Sequence, residues 1–226
     1  MKNIFLKLLF LLVSLCIAFG AQAGVYDDML AAIKEGNASN VKQILDKGLD
    51  ANIVDKAGNT LLILAVQDSN EEIVALLIAY RANLNAHNAS GDTALALAAL
   101  RGALPVVKRL VEAGAQLEPP NWTPLIYAAF NGHAEVVEYL VGRGAKIDAQ
   151  AKNGFTPLIA AARNGDQKTV EILIKHGAKP NLLTQSNETA MDFALRNNHI
   201  DAINLLRKAG GLSGKAMAGE SRKGDK

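Results

Sequence analysis

The sequence predicts an all-α solenoid: about six helix-turn-helix units stacked side by side, joined by short hairpin loops. The first observation is a beat. Thr60, Thr93, Thr123, Thr156 and Thr189 follow one another at intervals of 33, 30, 33 and 33 residues, and a fixed period of this size marks a repeat architecture. The second is what rides on the beat. Two residues after each Thr stands Leu62, Leu95, Leu125, Leu158 or Met191, and five after it Ala65, Ala98, Ala128, Ala161 or Ala194. The third is punctuation that suits a helix pair. Thr156 offers a hydroxyl to an unpaired backbone N–H, and Pro157 occupies the first helical position, where no N–H is missed. Leu158, Ala161 and Ala162 share a face, and Gly165 ends the helix in a left-handed turn. Asp166 can cap the next helix, whose apolar face is Val170, Leu173 and Ile174, and Gly177 closes it. One such unit cannot bury its own apolar face, so the stack is the folding unit.

Taken in order, residues 1–23 stand outside the repeats. Lys2 and Lys7 precede an apolar run, and Ala21-Gln22-Ala23 has the small-x-small form of a cleavage site. This reads as a secretory signal peptide cleaved after Ala23; the uncharged run Leu8–Ala23 is short for a bilayer span. A periplasmic or secreted location is expected, with no stable membrane insertion after cleavage. The repeat domain is expected over 24–211. Asp27 to Asn52 forms a capping unit whose second helix carries Val41, Ile44 and Leu45. Unit two runs from about Gly58 to Asn85, with Arg81 where the other units place a glycine. Unit three runs from Gly91 to Leu117, with Pro105 early in its second helix, where proline is tolerated. The join Gln116–Asn121, containing Pro119 and Pro120, is three residues shorter than its counterparts. It reads either as a tolerated loop deletion or as a shortened finger that reshapes the surface beside Trp122. Units four and five are the most regular. Unit six, Glu188 to Gly210, ends in polar residues suited to a C-terminal cap, and 212–226 is expected to be disordered.

The phrases Gly154-Phe155-Thr156-Pro157-Leu158 and Gly177-Ala178-Lys179-Pro180-Asn181, with five matching copies over about 180 residues, resemble the ankyrin repeat. The histidine that usually follows T-P-L is absent: Ile63, Ala96, Ile126, Ile159 and Asp192 stand there. The resemblance implies a non-catalytic scaffold that binds a protein partner through a concave groove. It also implies which positions face that groove: the residue just before each Thr and the residue seven after it. The first series is Asn59, Asp92, Trp122, Phe155, Glu188; the second is Gln67, Leu100, Phe130, Arg163, Arg196. Aromatics beside arginines are the chemistry of binding hot spots, so Trp122, Phe130, Phe155, Arg163, Leu100, Arg101 and Arg196 are the candidate partner-binding residues. The competing reading has Trp122 and Phe155 packing on neighbouring hairpins and Phe130 on the first helices.

Other functions are disfavoured by composition and spacing. Removing residues 1–23 takes two of the 24 basic side chains and none of the 22 acidic ones, leaving a net charge of zero. Nothing then steers the chain to nucleic acid. The only cysteine, Cys16, leaves with the same segment, so no disulfide supports the stack. His133 and His199 each lie ten residues after their Thr, in a capping position at the head of a second helix, and two units apart. They cannot share a metal ion. No phosphate-binding glycine loop is present. No catalytic residue, metal or cofactor is expected, and the chain is expected to be a monomer. The alternatives are a small-molecule or hydrolytic site in the groove, or a self-associating structural protein.

Overall fold

The computed structural model describes residues 24–221. The expected signal peptide and the last five residues lie outside them. Helix α1 covers 24–34 and pairs in sequence with α2 (Ala38–Asp46). Five further pairs follow: α3 (Leu61–Gln67) with α4 (Glu71–Ala79), α5 (Ala94–Leu100) with α6 (Leu104–Glu112), α7 (Pro124–Phe130) with α8 (Ala134–Gly142), α9 (Pro157–Asn164) with α10 (Gln167–Lys175), and α11 (Ala190–Arg196) with α12 (Ile200–Lys208). The first helices stack on one another from α3 to α11, and the second helices do so from α2 to α12. The result is a two-layered solenoid with one continuous apolar core. No strand forms among the described residues, and none of their helices is long and apolar enough to cross a membrane.

The beat has a physical basis. The hydroxyls of Thr60, Thr93, Thr123 and Thr156 each accept the backbone N–H three residues on, at 3.1–3.2 Å. The alanines five residues after each Thr are fully buried, as are Ala99, Ala129 and Ala162 beside them, because small side chains let adjacent first helices approach closely. Where the family's histidine is missing, Ile63, Ala96, Ile126 and Ile159 are at most 1% exposed. These units bury apolar surface there in place of a polar brace.

Consecutive units are also stitched by a ladder of side-chain acceptors. Asn52 Oδ1 accepts the N–H of Asn83, Asn85 Oδ1 that of Gln116, Glu118 Oε1 that of Lys146, Asp148 Oδ1 that of Lys179 and Asn181 Oδ1 that of Leu212, all at 2.7–2.9 Å. The partners are 31 residues apart, except 28 for Glu118. The rung survives at the short join, as does the Thr123 cap, so the missing residues come only from the hairpin between Glu118 and Thr123.

The C-terminal segment departs from the sequence reading. Residues 214–221 form a helix, α13 (Gly214–Ser221), where disorder was expected from 212 onward. It is tied at its start: the Gly214 N–H donates to Asp192 Oδ2 (2.7 Å), and the Thr189 hydroxyl donates to the Leu212 carbonyl (2.7 Å). Composition argued for disorder because 213–221 has little to bury. The segment is held instead by hydrogen bonds to the N-terminal turn of the last first-layer helix, whose Thr189 and Ala190 are buried. A side chain added at Gly214 would lie 2.0 Å from the Asn187 carbonyl oxygen, so glycine is needed for that approach.

Candidate functional site

Units four to six gather five aromatic residues into one ladder. The Trp122 ring lies 5.1 Å from Tyr127, 5.4 Å from Phe130 and 5.9 Å from Phe155, centroid to centroid, and Phe155 lies 5.1 Å from Phe193. The contacts with Phe130 and Phe193 are edge-on, and the one with Phe155 is stacked; both are favourable for ring quadrupoles. Trp122 and Phe130 are half-buried. Phe155 is only 8% exposed, clamped between Trp122 and Phe193. It therefore supports the surface rather than offering itself to a partner, and for this residue the packing alternative describes the geometry better.

Two arginines lie on the ladder. The Arg163 guanidinium carbon is 5.4 Å from the centre of Phe130 and 5.9 Å from that of Phe155, and Arg196 is 5.1 Å from that of Phe193. Both side chains are exposed. Their electrostatic states differ. Arg196 is paired with Glu188, whereas Arg163 has no acidic partner among the described residues. Its planar cation is held by two ring faces and keeps its N–H groups for something else. Leu100 is half-buried on the preceding unit, and Arg101 is exposed at the end of α5 without touching a ring of the ladder.

Below the rings, the Tyr127 hydroxyl donates to Asp92 Oδ1 at 2.6 Å, joining units three and four. Burial, and then this bond to a carboxylate, push the Tyr127 phenol well above its usual range.

The histidines brace the stack. His133 Nε2 is 3.0 Å from the Leu100 carbonyl and His199 Nε2 is 3.1 Å from the Arg163 carbonyl. A carbonyl only accepts, so Nε2 carries the proton in both. Asn131 and Asn197 reach the same two carbonyls. The expected capping role is thus corrected: neither ring accepts from its own helix, and each instead caps the end of the first helix in the preceding unit. Room for this comes from Gly102 and Gly165, where a Cβ would sit 2.4 and 2.3 Å from the respective histidine Nδ1. Among the described residues, no three His, Cys, Asp or Glu side chains gather closely enough to hold a metal ion.

A model of ankyrin repeats in three copies matches residues 29–121, 82–151 and 125–213. The chain belongs to the ankyrin-repeat family. Ankyrin repeats are generally non-enzymatic protein-interaction folds. The chain is 32% identical over 124 residues to a putative ankyrin repeat protein of Rickettsia bellii, covering 51% of this chain and 35% of that one. It is 36% identical over 119 residues to the mouse B-cell lymphoma 3 protein homolog, covering 51% and 26%. The match thus spans about a third or less of those two proteins. Among solved structures, an ankyrin repeat domain from Acinetobacter baumannii superposes with a TM-score of 0.74 at 28% identity, over 81% of this chain and 98% of that one. A chain of the complex between the Bd0816 predatory endopeptidase of Bdellovibrio bacteriovorus and the immunity protein Bd3460 superposes with a TM-score of 0.72 at 30% identity, over 80% and 97%.

Within this ankyrin stack, sequence reasoning missed Tyr127 and Phe193. Both stand four residues after their Thr, one helical turn before the position already singled out in the same helix. Reading the Thr+4 series Leu64, Leu97, Tyr127, Ala160, Phe193 would have found them. A hollow of about 510 Å³ on the second-helix layer, lined by Leu104, Lys108, Tyr139 and Ile172 among others, was likewise not anticipated.

Proposed function

We propose that this is an exported ankyrin-repeat protein that binds a protein partner, without catalysis, across the first-helix face of units three to six. The observation that carries the reading is Arg163. An exposed guanidinium laid on Phe130 and Phe155 and lacking an acidic partner is preorganised to take a carboxylate or a carbonyl in a bidentate grip. Trp122 and Phe130 beside it supply half-exposed ring surface, and Leu100 extends that surface into unit three. This is the pairing of aromatic and arginine anchors on which interface energy concentrates. The ankyrin fold is used for protein recognition elsewhere, and one similar chain comes from an enzyme–immunity protein complex.

Export rests on the character of residues 1–23. Fractionation of cells making the full chain, followed by N-terminal sequencing, should give a product beginning at Gly24 outside the cytoplasm. A cytoplasmic product beginning at Met1 contradicts the location. Once a partner is in hand, Arg163→Ala should weaken the complex by about 2 kcal/mol or more in calorimetry while leaving the melting temperature within a degree or two. Unchanged affinity removes Arg163 from the site.

A further inference from the structure

The short join leaves a notch with two unpaired backbone groups facing across it. In the regular units, the residues before each Thr fold into a finger. Its base is a bond between the residue five before the Thr and the residue just before it: Asp55 to Asn59, Asn88 to Asp92, Ala151 to Phe155 and Thr184 to Glu188, at 2.9–3.0 Å. Adjacent fingers bond to each other in one register. The Ala89 N–H donates to the Ala57 carbonyl (3.4 Å) and the Gln185 N–H to the Asn153 carbonyl (3.1 Å). Donor and acceptor therefore stand four and three residues before their respective Thr. Unit four has no finger, because Pro119-Pro120-Asn121 is three residues too short to make one. By the same register, the acceptor facing the gap from unit three is the Ser90 carbonyl, and the donor facing it from unit five is the Lys152 N–H. Neither makes a hydrogen bond among the described residues. Between them lies a cavity of about 250 Å³ whose lining includes Ser90 and Asp92 on one wall, Lys152 and Asn153 on the other, and Trp122 and Tyr127.

We infer that this notch is a receptor for the tip of a β-turn from the protein partner, which takes the place of the missing finger. The turn presents an N–H to the Ser90 carbonyl and a carbonyl to the Lys152 N–H, as a resident finger would, and lays a flat side chain on Trp122. Backbone pairing supplies the register and Trp122 the apolar contact, in the manner of strand addition at an open edge. Asn121 does not close the gap. Its Nδ2 donates to the Gly91 carbonyl (3.2 Å) and so holds the short join against unit three, where a side chain on Gly91 would meet that nitrogen at 1.8 Å. The inference rests on reading the stack as a protein binder and adds what the partner must present.

The test uses the mature chain, residues 24–226, and a head-to-tail cyclic peptide carrying the sequence of Gln150–Phe155 as a stand-in turn. Backbone amide spectra are followed during titration, together with hydrogen exchange at Lys152. Binding should shift the Lys152 and Ser90 amides and the Trp122 indole, and slow Lys152 exchange about tenfold. In a variant whose residues 119–121 are replaced by the six-residue sequence of Ala149–Gly154, a resident finger fills the notch and these changes should vanish. Lys152→Trp, at an exposed wall position, fills it with a side chain and should abolish them too, should the grafted chain fail to fold. No response at Lys152 at millimolar peptide, or an equal response in a filled variant, overturns the notch. Arg163→Ala should leave this titration unchanged, so the loss of Arg163-dependent partner binding with peptide binding intact would strike the first-helix surface alone.

Discussion

At the scale of single residues, the rings of units four to six divide into support and surface. Phe155 is buried between two other aromatics, so Phe155→Ala should leave a cavity and cost about 3–5 kcal/mol. Trp122 is half-exposed at the surface end of the same stack, and Trp122→Ala should cost only about 1–2 kcal/mol, the worth of its ring contacts. Denaturant titration of the two variants checks the order; equal losses would mean that Trp122 is as much core as Phe155. Tyr127 makes a prediction in pH. Its phenol is raised in the folded chain, chiefly by burial and then by Asp92, so the folded state holds that proton more tightly than the unfolded one. The stabilisation is complete below the unfolded value of about 10 and is lost as pH rises beyond it. Melting temperature should therefore fall above about pH 10, and Tyr127→Phe should flatten that fall. An unchanged alkaline slope in Tyr127→Phe would show that the phenol's proton is not coupled to folding.

At the scale of elements, the histidine that begins each of two second helices and the glycine that ends a first helix one unit earlier form a matched pair. Gly102 has φ +69° and no room for a Cβ beside His133. Gly102→Ala should cost about 2 kcal/mol or more, from left-handed backbone plus the clash. His133→Ala should cost about 1 kcal/mol, the bond to the Leu100 carbonyl. The double variant should cost less than the sum, because removing the ring removes the clash. A double-mutant cycle measures this, and strict additivity would show that the two residues do not share the space. The sequence placed His133, His199 and Gly165 at helix boundaries through glycine and cap chemistry. It could not show that the ring reaches back across the unit boundary, because that contact spans 33 residues and depends on the stacking distance.

At the scale of the whole molecule, the repeats were legible because each unit restates the same local instructions: Thr cap, apolar pair, small alanine, closing glycine. Five consistent copies leave little freedom for another fold. The candidate surface was legible in part. Trp122, Phe130 and Arg163 stand out as large side chains at positions with no local structural duty. That Phe155 is covered, that Tyr127 and Phe193 complete the ladder, and that Arg196 is paired with Glu188 while Arg163 is not, depend on contacts between units and carry no periodic signal. The tail failed for a related reason. Asp192 replaces an apolar core position in the last unit only, where no seventh unit covers it, and there it receives the N–H of Gly214. An end effect of this kind breaks the repeat and so escapes reasoning from the repeat.

On the proposed function, a protein partner docks on the Arg163 shelf of the first-helix face of units three to six. The most direct measurement places a photo-crosslinking amino acid at position 163, at position 100, or at the exposed position Glu171 on α10, in the full chain expressed in its native cells. Irradiation followed by mass spectrometry should give one shared adduct from positions 163 and 100 and none from position 171. Adducts from position 171 in equal yield, or none from 163 and 100 while 171 reacts, would contradict it and move the interface to the second-helix layer, where the hollow around Tyr139 lies.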